Sequence, residues 1–358
     1  MDGTMQAVVL TAPGEMQTRR LPVPCVGPDE LRVKVVATGI CGSDLAVYRG
    51  THPYKSPPIV LGHELSGVVE EIGSAVTRFR PGSRVCAASF SHCESCSACE
   101  RGEIHLCANK ATLNHAGWDG SFAEYVVLKE NMTFGLPSHI GWLVGALVEP
   151  LSIGLHAVRI AERHGGRTMA ILGSGNIGLS CLVAARALGF RVICVDIRES
   201  AGEAARALGA EAFVDASRKR PAEAVEEAWG GERADAVVVA TDYQGVAEDA
   251  AAMADRGGLI VLVSYFQGPK TVPLNAVVGN ELAIVGSALS SSRDIEDVIG
   301  WLDEGAIDPR PIIAHTPSLN ETALAMREMD EATTRVGKTV IRVDAAQAGA
   351  AQAGAPDG

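Results

Sequence analysis

Between residues 6 and about 147 the apolar positions come in short runs, at 31–37, 67–72 and 123–128, broken by clusters of Gly and Pro. Runs of that length bounded by turn formers predict strands, and their density predicts a compact, mostly β domain. Around residues 141–161 the apolar spacing lengthens to a helical period. Beyond it, strand-like and helix-like stretches alternate at 168–172, 177–188, 191–195, 199–208, 236–240, 246–254, 259–264 and 282–285. Such alternation predicts a parallel sheet with helices on both faces, an α/β doubly wound unit whose strand count suits a six-stranded nucleotide-binding sheet.

After Gly286 the pattern changes again, to helices at 293–303 and 321–332 and a strand at 339–343. A chain of 358 residues is long enough for two domains, each able to bury its own core. Residues 345–358 contain only Ala, Gly, Gln, Pro and Asp, too small-sided to pack, and are expected to be disordered.

Charge and cysteine usage narrow the function. Lys plus Arg number 31 against 43 Asp plus Glu, a net charge of −12, which repels nucleic acid and suits a cationic small molecule such as an amino sugar. No apolar run reaches the roughly 18 residues of a membrane span, and residues 1–13 lack a secretory pattern, so the expected location is cytoplasmic, with no membrane partner. Nine cysteines do not form a disulfide framework here, because five sit in metal-like contexts that need a reducing compartment. Cys25, Cys86, Cys181 and Cys194 lie in or beside apolar segments and read as small buried hydrophobes.

Three constellations carry chemistry. Cys93, Cys96, Cys99 and Cys107, in a Ser- and Gly-rich loop, have the spacing of a closed four-thiolate zinc site; an iron–sulfur centre uses similar thiolates, but the proline that follows such clusters is missing. Cys41 and the stretch Gly62-His63-Glu64 put a thiolate, an imidazole and a carboxylate close together in the chain, a mixed donor set that leaves a position on zinc for a reacting oxygen. Gly173-Ser174-Gly175-Asn176-Ile177-Gly178 follows an apolar strand and opens a helix, the context in which this pattern cradles a pyrophosphate. Asp196, ending the next strand, would accept from an adenosine ribose and favour NAD over NADP, although Arg198 can pair with a phosphate.

Gly62-His63-Glu64 with Gly67, Gly73 and Val76 resembles the signature of zinc-containing alcohol dehydrogenases of the medium-chain dehydrogenase/reductase superfamily, over about residues 5–343. Glu149-Pro150-Leu151-Ser152 resembles the branch holding sorbitol and other polyol dehydrogenases and threonine dehydrogenase. The resemblance implies a GroES-like catalytic domain, 1–148 plus 287–344, interrupted by a Rossmann NAD-binding domain at 149–286. It further implies two zinc ions per subunit and a homodimer or homotetramer. By it Cys41, His63 and Glu64 ligate the catalytic zinc, while Glu149 joins them or hydrogen-bonds a water on the metal. Lys338 matches a basic residue that touches the pyrophosphate, a solvated lysine being the alternative. The stretch from Asp119 to Tyr125 resembles one near the substrate cleft, making His115 and Trp118 substrate candidates.

The implied reaction is oxidation of a secondary alcohol to a ketone with NAD, or its reverse. Ser43 matches the hydroxyl that takes the alcohol proton; many relatives place a histidine where this chain has Ala46, so the relay ends in water, in His52 or elsewhere. Glu149 is a candidate general base, and Glu64 is counted with it at the catalytic centre. Gly42 is shared with polyol-type relatives and points to a polyol, sugar, aminocyclitol or amino sugar of aminoglycoside type. L-threonine 3-dehydrogenase is the closest alternative. A non-catalytic NAD- and zinc-binding protein is a second, and a zinc-free quinone reductase has no use for this metal shell.

Overall fold

The computed structural model describes residues 3–332 and 336–344; the 345–358 tail lies outside the described residues. The catalytic domain is organised on β1 (Glu30–Gly39), in which Leu31, Val33 and Val35 point inward and are fully buried. Each such aliphatic side chain contributes about 1.5–3 kcal/mol by leaving water. The chain then turns through Cys41 into a short helix, α1 (Gly42–Tyr48), and returns as β2 (Glu64–Ile72), antiparallel to β1. Register decides the site: Gly39 pairs with Glu64, so Cys41 and His63 emerge at the same edge of the sheet.

The helical period at 141–161 resolves into one turn, Trp142–Gly145, and α2 (Val148–His164). Glu149 and Pro150 lie in the first turn of α2, where a proline's missing N–H costs nothing and a carboxylate meets the positive end of the helix dipole.

The second domain follows as β3 (Thr168–Leu172), α3 (Asn176–Ala187), β4 (Arg191–Asp196), β5 (Ala212–Asp215), β6 (Ala234–Val239), β7 (Ala254–Leu262) and β8 (Ala283–Gly286). The six strands are parallel, in the order β5-β4-β3-β6-β7-β8. The nearly unbroken apolar runs of β3, β4 and β6 reflect burial on both faces. Strand order reverses on either side of β3, and ligands of such sheets bind at the carboxyl ends there.

The chain then enters α4 (Ser292–Asp303), capped reciprocally by Ser291 and Asp294, and returns to the first domain as β9 (Lys338–Arg342). β9 runs antiparallel to β1, with Val340 opposite Gly39. That pairing closes the seven-stranded catalytic sheet and delivers Lys338 to the place where β2 begins.

Candidate active site

Cys41, His63 and Glu64 each offer a donor atom, all within 4.8 Å of one another, with His63 and Glu64 buried. Local chemistry fixes each one. Cys41 caps α1: its Sγ accepts from the Ser43 N–H at 3.5 Å while its own N–H donates to Asp44 Oδ2 at 3.0 Å. Gly62 precedes His63 at a φ of 93°, where a Cβ would run into the Phe122 ring. Gly39 is equally constrained, because a Cβ there would strike Glu64 Oε2.

The His63 ring is turned by its Nδ1, which lies 3.5 Å from Asp44 Oδ1 and 3.3 Å from Asn114 Nδ2. A ligating imidazole is held in this way by an outer carboxylate, leaving Nε2 for a metal. Burial alone lowers the pKa of His63, but Asp44 and Cys41 raise it well above the ordinary value.

Glu64 faces Lys338, whose ammonium is 1% exposed and donates to Oε1. Oε2 is buried without a hydrogen bond of its own but lies in ion-pair contact with the same ammonium, so a metal drawing on this carboxylate would share it with Lys338. Lys338 is therefore not the solvated lysine of the alternative reading, and its charge is engaged by Glu64. Pairing this close offsets the cost of burying the cation.

Glu149 stands beside this trio, outside its 4.8 Å group, and is buried. Burial and the Glu64 charge push its pKa up, against His63, a hydrogen bond from Ser89, and Lys338. A carboxyl so poised exchanges protons more readily than an exposed one. Ser43, half-buried in the first turn of α1, adjoins Cys41.

The second cluster is local. Cys93 Sγ lies 3.5 Å from Cys107 Sγ and 4.0 Å from Cys99 Sγ, and Cys96 Sγ lies 3.5 Å from Cys99 Sγ. A zinc tetrahedron with about 2.3 Å bonds has edges near ~3.8 Å, so the donor set fits zinc. Hydrogen bonds from Ser95 draw Cys93 down to about 5, whereas desolvation and the neighbouring thiols push Cys99 up to about 12. Four thiolates need a cation to coexist there.

At the carboxyl end of β3 the glycine turn divides its labour. Gly173 has φ 96°; a Cβ on Gly178 would sit 1.9 Å from the Gly173 carbonyl; one on Gly175 would meet nothing within 4 Å. The first shapes the turn, the second lets α3 pack on it, and the third leaves an open approach to the N–H groups at Asn176 and Ile177. Asp196, 8% exposed, accepts from the Ser174 N–H at 2.9 Å and from the Arg198 guanidinium at 3.0 and 3.2 Å. Arg198 thus lies on Asp196, its guanidinium half-exposed.

His115 and Trp118 face each other across a tight turn at Ala116 and Gly117, both at positive φ. The Trp118 indole N–H donates to the Val127 carbonyl at 2.8 Å and its half-buried ring packs on the main core, which ties Trp118 to the fold. His115 stacks edge-on with Tyr54 at 5.1 Å, and Tyr54 with His52 at 4.5 Å. His52 Nδ1 accepts from the N–H groups of Tyr54 and Lys55, so only its Nε2 remains for a relay. Cys25 is exposed, not buried, because it follows the N-terminal hairpin in a proline-flanked stretch outside any strand.

A dinucleotide turn in one domain and a thiolate–imidazole–carboxylate trio in the other together define a zinc-dependent oxidoreductase. Residues 27–138 match the alcohol dehydrogenase GroES-like domain family and residues 176–304 the zinc-binding dehydrogenase family. The sorbitol dehydrogenase of Bacillus subtilis (strain 168) is 31% identical over 328 residues, covering 90% of this chain and 92% of the relative. An alcohol dehydrogenase of Escherichia coli CFT073, solved with NADH, superposes with a TM-score of 0.87 at 27% identity, covering 95% of this chain and 100% of the other. A zinc-binding dehydrogenase of Sinorhizobium meliloti 1021, solved with NADP, superposes with a TM-score of 0.85 at 31% identity, covering 95% and 99%. The chain belongs to the zinc-containing alcohol dehydrogenases of the medium-chain dehydrogenase/reductase superfamily, in the polyol dehydrogenase branch, and is an oxidoreductase acting on CH–OH groups. Among the described residues, no helix is long and apolar enough to cross a membrane.

Proposed function

We propose that the enzyme oxidises a secondary hydroxyl of a polyol, sugar, aminocyclitol or amino sugar, with NAD as hydride acceptor. The observation that carries this reading is the open donor trio of Cys41, His63 and Glu64, with Glu149 buried next to it. Zinc held there would act as a Lewis acid that lowers the pKa of the reacting hydroxyl. Ser43 receives the hydroxyl proton, and Glu149 serves as the buried base beside it, since Ala46 offers no proton acceptor. The aromatic wall of Tyr54 and His115, with His52 behind it, flanks the substrate, and the net charge of −12 favours a cationic one.

Asp196 receives the adenosine ribose. The carboxylate's four acceptor directions are filled by Ser174 and by the Arg198 N–H groups, so the ribose displaces the half-exposed guanidinium. An enzyme with an acidic strand end prefers NAD, in line with the neighbour solved with NADH.

The assembly is a homodimer or homotetramer. β8 ends the second sheet with an unpaired edge, and Ile284, Val285, Leu274 and Val278 are exposed near it, a row of groups that a second copy would cover. None of the nine cysteines is disulfide-bonded, which suits a reducing cytoplasm.

The test is NADH formation by zinc-loaded protein across polyols, inositols, aminocyclitols, aminoglycosides and L-threonine, with NADP in parallel. Turnover of a sugar or cyclitol supports the proposal. Turnover of threonine alone replaces it with L-threonine 3-dehydrogenase, and silence despite bound zinc and NAD points to a non-catalytic binding protein.

A further inference from the structure

Lys55 is 9% exposed, in the loop that leads from α1 towards His63. Its ammonium donates to the Leu113 carbonyl at 3.3 Å and to the Oδ1 of Asn114. Both acceptors are neutral, and among the described residues the ion pairs within 4.0 Å include none made by Lys55. A buried ammonium without a carboxylate within ion-pair distance is costly, so the two neutral acceptors must be held firmly in place around it.

Asn114 explains the arrangement. It is fully buried at φ 51°, a conformation that asparagine tolerates better than most residues but that still costs free energy. An ammonium can only donate, so the atom facing Lys55 must be the amide oxygen. The amide nitrogen is thereby forced to the other side, 3.4 Å from Asp44 Oδ1 and 3.3 Å from His63 Nδ1. Asp44 in turn is anchored by the N–H groups of Cys41 at 3.0 Å and Gly62 at 3.4 Å. One chain of contacts runs from Lys55 through Asn114 to Asp44 and ends on the imidazole.

We propose that Lys55 and Asn114 are positioning residues of the catalytic metal centre: Lys55 locks the Asn114 amide, and that amide holds Asp44 in the orientation that presents His63 Nε2 to zinc. The inference rests on Cys41, His63 and Glu64 being the metal ligands. Neither residue touches substrate or cofactor in this role, and their influence passes through His63. Burial holds the Lys55 pKa below its ordinary value, partly offset by Asp44, Cys41 and Glu149 nearby.

The experiment compares Lys55→Met, Lys55→Arg and Asn114→Gly with the parent enzyme, glycine being chosen because it accepts the left-handed backbone. Zinc affinity is read by chelator competition, and the visible absorption of the cobalt-substituted protein reports ligand geometry without turnover. The four-cysteine site serves as an internal control of folding. Expected is a roughly 10- to 100-fold weaker catalytic metal site and an altered cobalt spectrum in K55M and N114G. The second zinc should be held as in the parent, and K55R should recover part of the loss. Unchanged affinity and spectrum in both variants overturn the proposal. Equal release of both metals overturns it too, because the pair would then support the fold and not the ligand. A parent enzyme that binds zinc only at the four cysteines refutes the ligand assignment beneath it, a failure visible before any variant is made.

Discussion

The two metal clusters of this chain are built in opposite ways. Cys93, Cys96, Cys99 and Cys107 belong to one loop whose local turns bring the sulfurs together. The trio of Cys41, His63 and Glu64 exists only because β1 pairs with β2 in the register that sets Gly39 opposite Glu64. A local cluster depends on its metal for shape, while a strand-built cluster is shaped by the core before any metal arrives. The first should fail by losing structure and the second by losing chemistry.

The largest effect that tests this contrast is removal of one loop thiolate. Cys96→Ser should release the loop's zinc and destabilise the protein by several kcal/mol, since structural zinc binding is folding free energy. Thermal unfolding and metal content measure it, and a parent-like melting curve would break the contrast. Next comes Glu149→Gln, isosteric and beside the strand-built trio. Turnover should fall by about 10²–10⁴-fold with NADH affinity and melting temperature nearly unchanged, and an undiminished rate would remove Glu149 from the chemistry.

How much of each cluster was legible in the sequence follows from the same contrast. The four cysteines cluster within one short loop, and the glycine turn and Asp196 lie on neighbouring parallel strands, so reading order was enough to group them. The pairing of Lys338 with Glu64 was not legible, because it depends on β9 lying next to β1, with Val340 opposite Gly39, a contact between residues far apart in the chain. Lys55 and Asn114 carried no signal: neither residue type is unusual in a loop, and only the fold turns an ammonium and an amide on the His63 ring. The carbonyl that the Trp118 N–H meets belongs to Val127 on a later strand, a partner that the reading of its loop did not supply. The N-terminal strand Glu15–Pro22 is mostly exposed, so no apolar alternation announced it.

A smaller effect separates fold from ligand inside the glycine turn. Gly178→Ala places a methyl 1.9 Å from the Gly173 carbonyl, and the strain of moving α3 should cost about 1–3 kcal/mol of stability. Gly175→Ala meets open space at φ −78°, an ordinary backbone for alanine, so stability should hold or rise by about 0.4–1 kcal/mol. NADH affinity should nevertheless drop, because the methyl projects where the pyrophosphate must approach. Melting curves and NADH titration read the two effects separately; a G175A variant with parent affinity would move the pyrophosphate elsewhere.

The smallest effect concerns cysteines that ligate nothing. Burial pushes Cys86, Cys181 and Cys194 up to about 12, while an unfolded thiol titrates at about 8.5. Above that pH the unfolded chain holds fewer protons than the folded one, so stability falls as pH rises, and the contribution is complete only below it. At pH near 8.5 each thiol should cost about 0.4 kcal/mol, visible as a shallow downward slope in denaturation midpoint with pH. Cys181→Ala should flatten that slope by about a third, and thiol labelling of the native zinc-loaded protein should modify the exposed Cys25 long before these three. An unchanged slope in the variant would mean that the alkaline limb arises elsewhere, with the zinc-site thiols as the next group to test.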